Sequence, residues 1–458
     1  MSHRSLEELL GSVSSTVDML RNAQVGPNVY PGVPAEYTNW RDEQWAWQHT
    51  CVLYNQSFHM AELAVTGPDA ITLLSRLGVN TFNNFGVDKA KQFVPCTPDG
   101  YVIGDVILFH LAEAEFNLVG RAPVLNWVTY HAQTGGYDVD VTLDQRSALR
   151  TDGRRKHYRF QIQGPHAMGV IARALGSPPP DLKFFNLTTT QIGSVGVRAL
   201  RHGMAGQPGW ELFGPWAEAE MVRNALLEAG AQFGIQRVGA RTYPTSTLES
   251  GWIPSPLPAV YSGKEMQPYR EWLAGTSYEA MASLGGSFVA KDIEDYYLTP
   301  YELGYGGFVR FDHEFIGRKA LEKLAKKPQR QKVTLAWNGD DVRRALGTLF
   351  SAGRNVAKYI DLPLANYATL PFDKIVKGGK TIGLSTYTGY SFNERSMLSL
   401  AVIDAKHAKP GTKVTLVWGE DGGGTTKPTV ERHKQIKIRA TVGPVPYGDT
   451  ARTAYRPK

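Results

Sequence analysis

The sequence predicts an α+β protein that ends in an all-β domain. Two stretches, 63–78 and 160–176, share one plan of a short strand, a Gly-Pro-x-Ala turn and apolar residues at helical spacing. A β meander lies between them, marked by alternating strand and turn signals. From residue 332 onward, short strands and glycine-rich turns dominate. We therefore expect a mixed region over residues 1–329 and a separate small barrel or sandwich over residues 330–458.

The first sixty residues combine helix signals with an ordered loop. Residues 5–22 are expected to be helical, because Ser5 and Glu8 form the capping-box pattern that opens many helices. The proline- and aromatic-rich residues 27–40 are typical of an ordered loop. Residues 43–60 begin with helix formers and end in the strand-like sequence CVLYNQS.

The later elements of the mixed region follow from local signals. Asp99 and Gly100 supply the turn chemistry of a hairpin within the meander. Residues 198–214 predict two strands around GMAGQPG, and residues 216–232 predict a helix. A last helix follows Phe315 and leads through a basic, polar linker into the all-β region.

Composition and missing motifs exclude several functional classes. The net charge of +7 over 458 residues comes without a Lys/Arg stripe, so we expect no nucleic-acid partner. No stretch approaches the ~18 apolar residues of a membrane span, and the N-terminus lacks an apolar signal core. Cys51 and Cys96 have neither metal-ligand nor redox spacing, which favours a reducing cytoplasm and no bound metal. The usual phosphate-loop, dinucleotide, zinc-protease and serine-hydrolase motifs are absent.

The stretch RTYPTSTLESGWIPSP, residues 241–256, shows neither helical nor strand periodicity. Its three prolines fix φ and remove backbone donors, so the segment is expected to be stiff. Loops on a rigid scaffold often carry function, and this one is rich in polar and aromatic side chains. We therefore expect it to hold functional groups in place.

Several stretches resemble, in the same order, those of the glycine-cleavage T-protein (aminomethyltransferase) superfamily. They are VTGPDAITLL, HGMAGQPGWELFGP, VGARTYPTSTLESG and EFIGRKALEKL, within residues 60–325. The tail sequences TIGLSTYTGYSFNERSMLSLAVI and PGTKVTLVWG are similar to that superfamily's C-terminal barrel. The resemblance implies a three-part ring with two ferredoxin-like α/β subdomains and a barrel. It also implies tetrahydrofolate in the central hole and one-carbon transfer to or from its N5 nitrogen.

A closer resemblance extends over nearly the whole chain. MLRNAQVGPNVYP, EQWAWQHTCVLYNQSFHM, VGRAP, YHAQTGGYDVD and TLESGWIPSPLPAVY are similar to stretches of the tetrahydrofolate-dependent aryl O-demethylases. These act on vanillate, 3-O-methylgallate and syringate. The resemblance implies a methyltransferase that takes the methyl group of a methoxybenzoate, and we expect a monomer or a homodimer.

The resemblance assigns four residues to the folate. Glu211, in PGWELFG, stands where the family binds its pterin with a glutamate. Gln56 would hydrogen-bond the pterin and Trp252 would stack on it, although an ordinary core role for Trp252 is equally open. Asp105 is expected near the folate, but the Asp-Asp pair of aminomethyltransferases is reduced here to Gly104-Asp105. Since an aryl ether has no amine to handle, this departure argues against plain aminomethyltransferase chemistry.

Five residues are assigned to the substrate. Arg121, in FNLVGRAP, is expected to bind the benzoate carboxylate through two hydrogen bonds, with a structural ion pair as the alternative. Tyr30 and His59 would line the aryl pocket, with His59 bonded to the free ring hydroxyl or to its phenolate; a structural histidine is the alternative. In vanillate-type relatives the position of Asn28 tends to be Tyr and that of Phe58 His. A smaller residue at position 28 leaves room for a second methoxy group, which favours syringate.

Tyr243 is the candidate catalytic residue, together with His59. A phenolate leaves poorly unless it is protonated or hydrogen-bonded as the bond breaks, and a buried tyrosine hydroxyl can donate that bond. The O-demethylase resemblance places a key tyrosine at this position. The neighbouring prolines would hold Tyr243 and Trp252 in the geometry that displacement needs. Whether Tyr243 gives up its proton or only orients the ether stays open, as does a purely structural role.

Other functions remain as alternatives. The main substrate could also be vanillate or 3-O-methylgallate. The same fold would serve an aminomethyl, N-methyl or sulfonium donor, against which Arg121 and Tyr243 argue. A non-catalytic folate-binding protein of the iron–sulfur assembly type is disfavoured, because such relatives carry Lys-Gly-Cys near LESGWIPSP and this chain has no cysteine after Cys96.

Overall fold

The computed structural model describes residues 4–149, 155–254, 256–353 and 355–455. In chain order, the elements up to residue 238 are α1 (Leu6–Gly11), α2 (Thr16–Asn22), α3 (Trp40–His49), β1 (Cys51–Asn55), β2 (Ala61–Thr66), α4 (Ala70–Leu77), β3 (Lys89–Phe93), β4 (Val106–Ala112), β5 (Glu115–Gly120), α5 (Ala122–Thr134), β6 (Asp140–Asp144), β7 (His157–Gln163), α6 (Ala167–Leu175), β8 (Leu187–Ile192), β9 (Val195–Leu200), β10 (Gly209–Pro215), α7 (Ala219–Gly230) and β11 (Ile235–Val238).

The later elements are α8 (Ser246–Ser250), α9 (Gln267–Trp272), β12 (Leu284–Gly285), α10 (Arg318–Leu324), β13 (Gln331–Trp337), α11 (Gly339–Gly347), β14 (Leu370–Pro371), β15 (Asp373–Lys377), β16 (Lys380–Ser391), β17 (Ser396–Ile403), β18 (Lys413–Trp418), β19 (Ile436–Gly443) and α12 (Asp449–Thr453). None of the helices in the described ranges is long and apolar enough to cross a lipid bilayer.

The first sheet contains the predicted meander and the first copy of the repeat. Its order is β3-β4-β5-β2-β6, and every pairing is antiparallel. The unit β2–α4–β4–β5–α5–β6 within it has the ferredoxin-like strand order, and β3 extends one edge. The prediction of a ferredoxin-like subdomain is therefore confirmed for this part of the chain.

The second sheet contains the second copy of the repeat. Its order is β11-β1-β7-β10-β9-β8. The unit β7–α6–β9–β10–α7–β11 repeats the first plan, except that β1 is inserted between β11 and β7. Strand β1 is parallel to β11 and antiparallel to β7. Since β1 precedes the first copy in the chain, the chain enters the second sheet, leaves it for the first, and returns.

Gly67 and Gly164 explain the Gly-Pro-x-Ala pattern of the two copies. Their φ angles are +127° and +132°, a region that side chains rarely adopt. A Cβ atom would lie 2.5 Å from the carbonyl oxygen of Asp138 in the first case and of Thr50 in the second. Both turns therefore require glycine, because the backbone of another segment passes directly against them.

The N-terminal helix is broken, contrary to the single helix predicted over residues 5–22. Ser5 Oγ accepts a hydrogen bond from the Glu8 N–H at 3.2 Å, as the capping pattern predicts. Ser15 Oγ accepts another from the Asp18 N–H at 3.1 Å and opens α2. The second cap starts a new helix because serine competes for backbone donors where a continuous helix would need them itself.

The C-terminal strands close into a barrel in the order β13-β17-β16-β15-β18-β19. The choice between barrel and sandwich is thereby settled in favour of the barrel. Alternate residues of β13, namely Val333, Leu335 and Trp337, are buried in the core of the barrel, as a strand with one inward face requires. The barrel begins at Gln331, next to the predicted boundary; the division into separate domains stays a prediction.

Candidate active site

A cavity of about 880 Å³ is lined by both sheets, the barrel and the loops between them. Strands β4 and β5 contribute from the first sheet, β10 from the second and β16 from the barrel. The cavity brings together nearly all residues that the sequence assigns to folate and substrate. Those at its wall are Asn28, Tyr30, Gln56, His59, Asp105, Arg121, Glu211, Tyr243 and Trp252.

Phe58 is the sequence-predicted site residue that does not line this cavity. Its ring packs against Trp216, with centroids 5.5 Å apart, and lies under Gly32. His59 follows it in the turn after β1 and faces the cavity instead. Adjacent residues of this turn therefore point in different directions, and the sequence could not distinguish them.

Strand β10 places Glu211 at the cavity wall. Arg159 Nη1 donates to Glu211 Oε1 at 2.8 Å, while Oε2 has no hydrogen-bond partner among the described residues. The Arg159 guanidinium lies over the rings of Phe109 and Phe213, at 4.9 Å and 4.6 Å from their centroids. Burial raises the pKa of Glu211, and the neighbouring arginine opposes that rise. One carboxylate oxygen is thus fixed by the protein and the other is left for a ligand.

Gln56 and Tyr243 form a hydrogen-bonded pair beside Glu211. Gln56 Nε2 donates to the Tyr243 hydroxyl at 3.0 Å. Burial raises the pKa of Tyr243 well above its usual value, so the hydroxyl keeps its proton at neutral pH. No described group accepts that proton, and Gln56 Oε1 is also buried without a partner. The pair therefore presents one donor and one acceptor that a bound molecule can satisfy.

The segment 241–256 is helical at its centre, although its sequence shows no period. Tyr243–Thr245 form a 3₁₀ turn that continues into α8. Glu249 of α8 is buried and accepts hydrogen bonds from Trp47 Nε1 at 2.7 Å and Ser391 Oγ at 2.6 Å. These bonds tie the segment to α3 and to the barrel strand β16. The expected stiffness therefore comes from tertiary hydrogen bonds as well as from prolines.

Arg121 immediately precedes α5, where it reaches the cavity from the first sheet. It forms no ion pair with any carboxylate of the described residues, so the structural alternative for this residue finds no support. The pKa of His59 is lowered to about 3, chiefly by burial and then by Arg121. The His59 ring lies 4.8 Å from that of Tyr30 and 4.9 Å from that of Tyr243. A neutral imidazole and an unpaired guanidinium therefore share one wall with the tyrosine.

Trp252 is held at the cavity by Asp105. Its Nε1–H donates to Asp105 Oδ2 at 2.9 Å and to the Tyr305 hydroxyl at 2.9 Å. The Tyr305 hydroxyl donates to the same carboxylate oxygen at 3.0 Å, and so does Gln92 Nε2. With these donors converging on it, Asp105 orients the indole ring rather than acting as a free base.

Residues 19–255 match the family model of the GCVT N-terminal domain, which is more than half of the chain. The chain belongs to the GCVT family. It is 56% identical to syringate O-demethylase of Sphingobium sp. strain SYK-6 over 99% of this chain and 98% of that protein. It is 31% identical to sesamin methylene transferase of Sinomonas sp. strain No.22 over 84% and 83% of the two chains.

The crystal structure of the glycine cleavage system aminomethyltransferase T from Bartonella henselae has the same GCVT fold. It superposes with a TM-score of 0.61 at 19% identity and covers 94% of this chain and 95% of that one. This likeness confirms the predicted fold class, a mixed α+β region followed by a closed barrel.

Strand β7 of this GCVT-family chain carries polar residues that the sequence analysis missed. Arg159, Gln161 and Gln163 lie on one face and are almost completely buried, while Phe160 and Ile162 on the other face belong to the core. The alternation in YRFQIQ was visible in the sequence. Such a pattern ordinarily indicates a solvent-facing side, and only the tertiary structure shows that this face lies behind the cavity wall.

Proposed function

We propose that this chain is a tetrahydrofolate-dependent O-demethylase that moves the methyl group of an aryl methyl ether to the N5 nitrogen of tetrahydrofolate. Syringate is the favoured substrate, and a gallate-type phenol and 5-methyltetrahydrofolate are the products. The observation that carries the proposal is one cavity holding an unpaired arginine, Arg121, together with the protonated hydroxyl of Tyr243. The 56% identity to a syringate O-demethylase supports the choice of substrate.

The free acceptor atoms of the cavity fit a pterin. Glu211 Oε2 and Gln56 Oε1 lack partners among the described residues, and the amino and ring N–H groups of a pterin are donors. Trp252 supplies an aromatic wall with a fixed orientation. Tetrahydrofolate bound there would supply the nitrogen that accepts the methyl group.

Other residues that line the cavity suit a methoxybenzoate. Arg121 can bind the carboxylate through its planar guanidinium, since no carboxylate of the described residues forms an ion pair with it. His59 is neutral at physiological pH because its pKa is about 3, so it can accept a hydrogen bond from the free ring hydroxyl. Asn28 and Tyr30 also line the cavity. Asn28 is smaller than the Tyr that vanillate-type relatives tend to have at this position, which would leave room for a second methoxy group.

Tyr243 would stabilise the departing phenolate by donating a hydrogen bond to the ether oxygen. Its pKa is raised above that of an ordinary phenol, so complete proton transfer to the leaving group is uphill. A hydrogen bond that strengthens as negative charge develops does not need that transfer. We therefore propose hydrogen bonding, not full protonation, as its role.

A turnover assay tests the proposal. The protein is incubated with syringate, vanillate or 3-O-methylgallate, with and without tetrahydrofolate, and methylfolate is measured. We expect methylfolate only when both a methoxybenzoate and the folate are present, with syringate the fastest. Formation of methylfolate from an amine or sulfonium donor, and from none of the three ethers, would instead favour another reaction of the family.

Replacing Arg121 with leucine is expected to raise the KM for syringate about 10- to 100-fold, as loss of a charge-assisted hydrogen bond predicts. The matched substrate is 2,6-dimethoxyphenol, which carries the same ether groups without the carboxylate. Its KM should change little, because it has nothing for the guanidinium to bind. An equal rise in KM for both substrates would show that Arg121 acts on the shape of the cavity and not on the carboxylate.

We also propose that the enzyme works in the cytoplasm. Cys51 and Cys96 support this, since both are free and buried. The expectations of a monomer or homodimer and of no nucleic-acid partner stay predictions.

A further inference from the structure

Three glutamine side chains form a chain of amides behind the cavity wall. Gln163 Nε2 donates to Gln161 Oε1, and Gln56 Nε2 approaches the same oxygen at 3.4 Å. Strand β7 places Gln161 and Gln163 two residues apart on one face. Gly203 packs against the Gln163 amide so closely that a Cβ atom would lie 2.5 Å from Gln163 Cδ. The chain is therefore held by packing as well as by hydrogen bonds.

Two backbone N–H groups fix the direction of this chain. The Met204 N–H donates to Gln161 Oε1 at 3.1 Å, and the Ala205 N–H donates to Gln163 Oε1 at 2.9 Å. Because a backbone N–H can only donate, these contacts identify the oxygen of each amide without any assumption about amide orientation. Gln161 therefore offers Gln56 an oxygen, which can only accept.

The orientation of the Gln161 amide determines that of the Gln56 amide, and Gln56 in turn determines how the Tyr243 hydroxyl is hydrogen-bonded. Gln56 must turn its NH₂ group toward Gln161, and its second N–H then donates to the Tyr243 hydroxyl at 3.0 Å. The tyrosine oxygen accepts this bond, so its own proton must point elsewhere. If the Gln56 amide were flipped, its oxygen would take the tyrosine proton and no donor would remain for a ligand.

We infer that Gln161 is a positioning residue that keeps Tyr243 a hydrogen-bond donor toward the cavity. It does not line the cavity itself and acts through Gln56. The inference rests on the proposed function for its effect on turnover, but the direction of the Tyr243 hydrogen bond does not depend on which substrate is used.

The kinetic test uses Gln161→Met, which keeps the side-chain length and removes the acceptor. We expect kcat at saturating substrate and folate to fall about tenfold, since part of the stabilisation that a positioned hydrogen-bond donor gives to developing negative charge is lost. The same substitution in a Tyr243→Phe background should cause no further loss, because there is no hydroxyl left to orient. Gln191→Met is the matched control, because Gln191 is an exposed residue of strand β8, and this variant should leave kcat unchanged.

A spectroscopic test in the ligand-free protein separates this inference from the proposed function. The tyrosine Fermi doublet in the Raman spectrum reports whether a phenol donates or accepts, and the difference between wild type and Tyr243→Phe isolates Tyr243. In wild type this doublet should show an accepting hydroxyl, and Gln161→Met should shift it toward a donor. An unchanged doublet, or a kcat loss of the same size with and without the Tyr243 hydroxyl, would overturn the inference whatever the enzyme's substrate proves to be.

Discussion

Tyr243→Phe is expected to lower kcat for syringate about 10²- to 10³-fold, the usual contribution of one hydrogen-bond donor that stabilises negative charge developing in the transition state. The phenyl ring preserves the aromatic contacts with Tyr30 and Tyr54, at 5.1 Å and 5.3 Å between centroids. Only the hydroxyl is lost, which is the group that we propose stabilises the departing phenolate. The dissociation constants of syringate and of the folate should therefore change far less than kcat. Single-turnover rates and separate titrations with each ligand measure the two effects independently.

Tyr54→Phe is the control for this substitution. Tyr54 is buried, its hydroxyl has no hydrogen-bond partner among the described residues, and it does not line the cavity. Removing that hydroxyl should change kcat less than about twofold, as for substitutions away from special features. If Tyr243→Phe also retained most of its rate, the phenolate would have to be stabilised by another group. His59 would then be replaced next.

The parts of the fold that could be predicted are those with strong local signals. The two Gly-Pro turns at Gly67 and Gly164 mark a backbone requirement that no other residue meets, so the repeat was visible in the sequence. The barrel strands likewise follow from short alternating segments and turns. The insertion of β1 between β7 and β11 was not predictable, because strand pairing over such sequence distances depends on tertiary packing.

The candidate site shows the same division between local and tertiary information. Resemblance to a family indicated positions such as Glu211, Tyr243 and Arg121, and the structure places these at one cavity. The sequence could not indicate that Arg159 contacts Glu211 or that Gln161 lies beside Gln56, because polar residues in alternation ordinarily face solvent. The packing of the sheets determines which buried polar groups face one another, and the spacing of residues in the sequence does not reveal it.

Arg159→Met is expected to destabilise the protein by about 3–5 kcal/mol, the cost of removing one partner from a buried ion pair. Arg159 donates to Glu62 Oε1 at 2.9 Å and to Glu211 Oε1 at 2.8 Å, and all three side chains are almost fully buried. Without the guanidinium, Glu211 loses its only protein partner among the described residues. Urea unfolding at neutral pH measures the loss of stability.

The difference in stability between wild type and Arg159→Met should become smaller as the pH falls. Burial would raise the pKa of Glu62, but Arg159 and His157 hold that pKa well below its usual value. Burial also raises the pKa of Glu211, and Arg159 makes that increase smaller. A carboxylate with a lowered pKa stabilises the fold above its unfolded pKa of about 4.3 and loses that effect as the pH falls. In the variant both carboxylates take up protons at higher pH in the folded state. The variant should therefore approach the wild type as the pH falls from neutral toward the unfolded pKa of about 4.3, and a constant difference would contradict the charge argument.

Adding Glu211→Gln to Arg159→Met separates stability from folate binding. The neutral amide removes the charge of Glu211, whereas Glu62 still has Arg155 and His157 beside it. The double variant should therefore recover a large part of the lost stability. It should not recover affinity for tetrahydrofolate, because the pterin N–H groups need an ionised carboxylate for their strongest hydrogen bonds. Recovery of both would mean that Arg159 and Glu211 serve only to hold the sheet together. Recovery of stability alone would mean that the buried Arg159 keeps Glu211 ionised for binding the folate, and not only for the stability of the sheet.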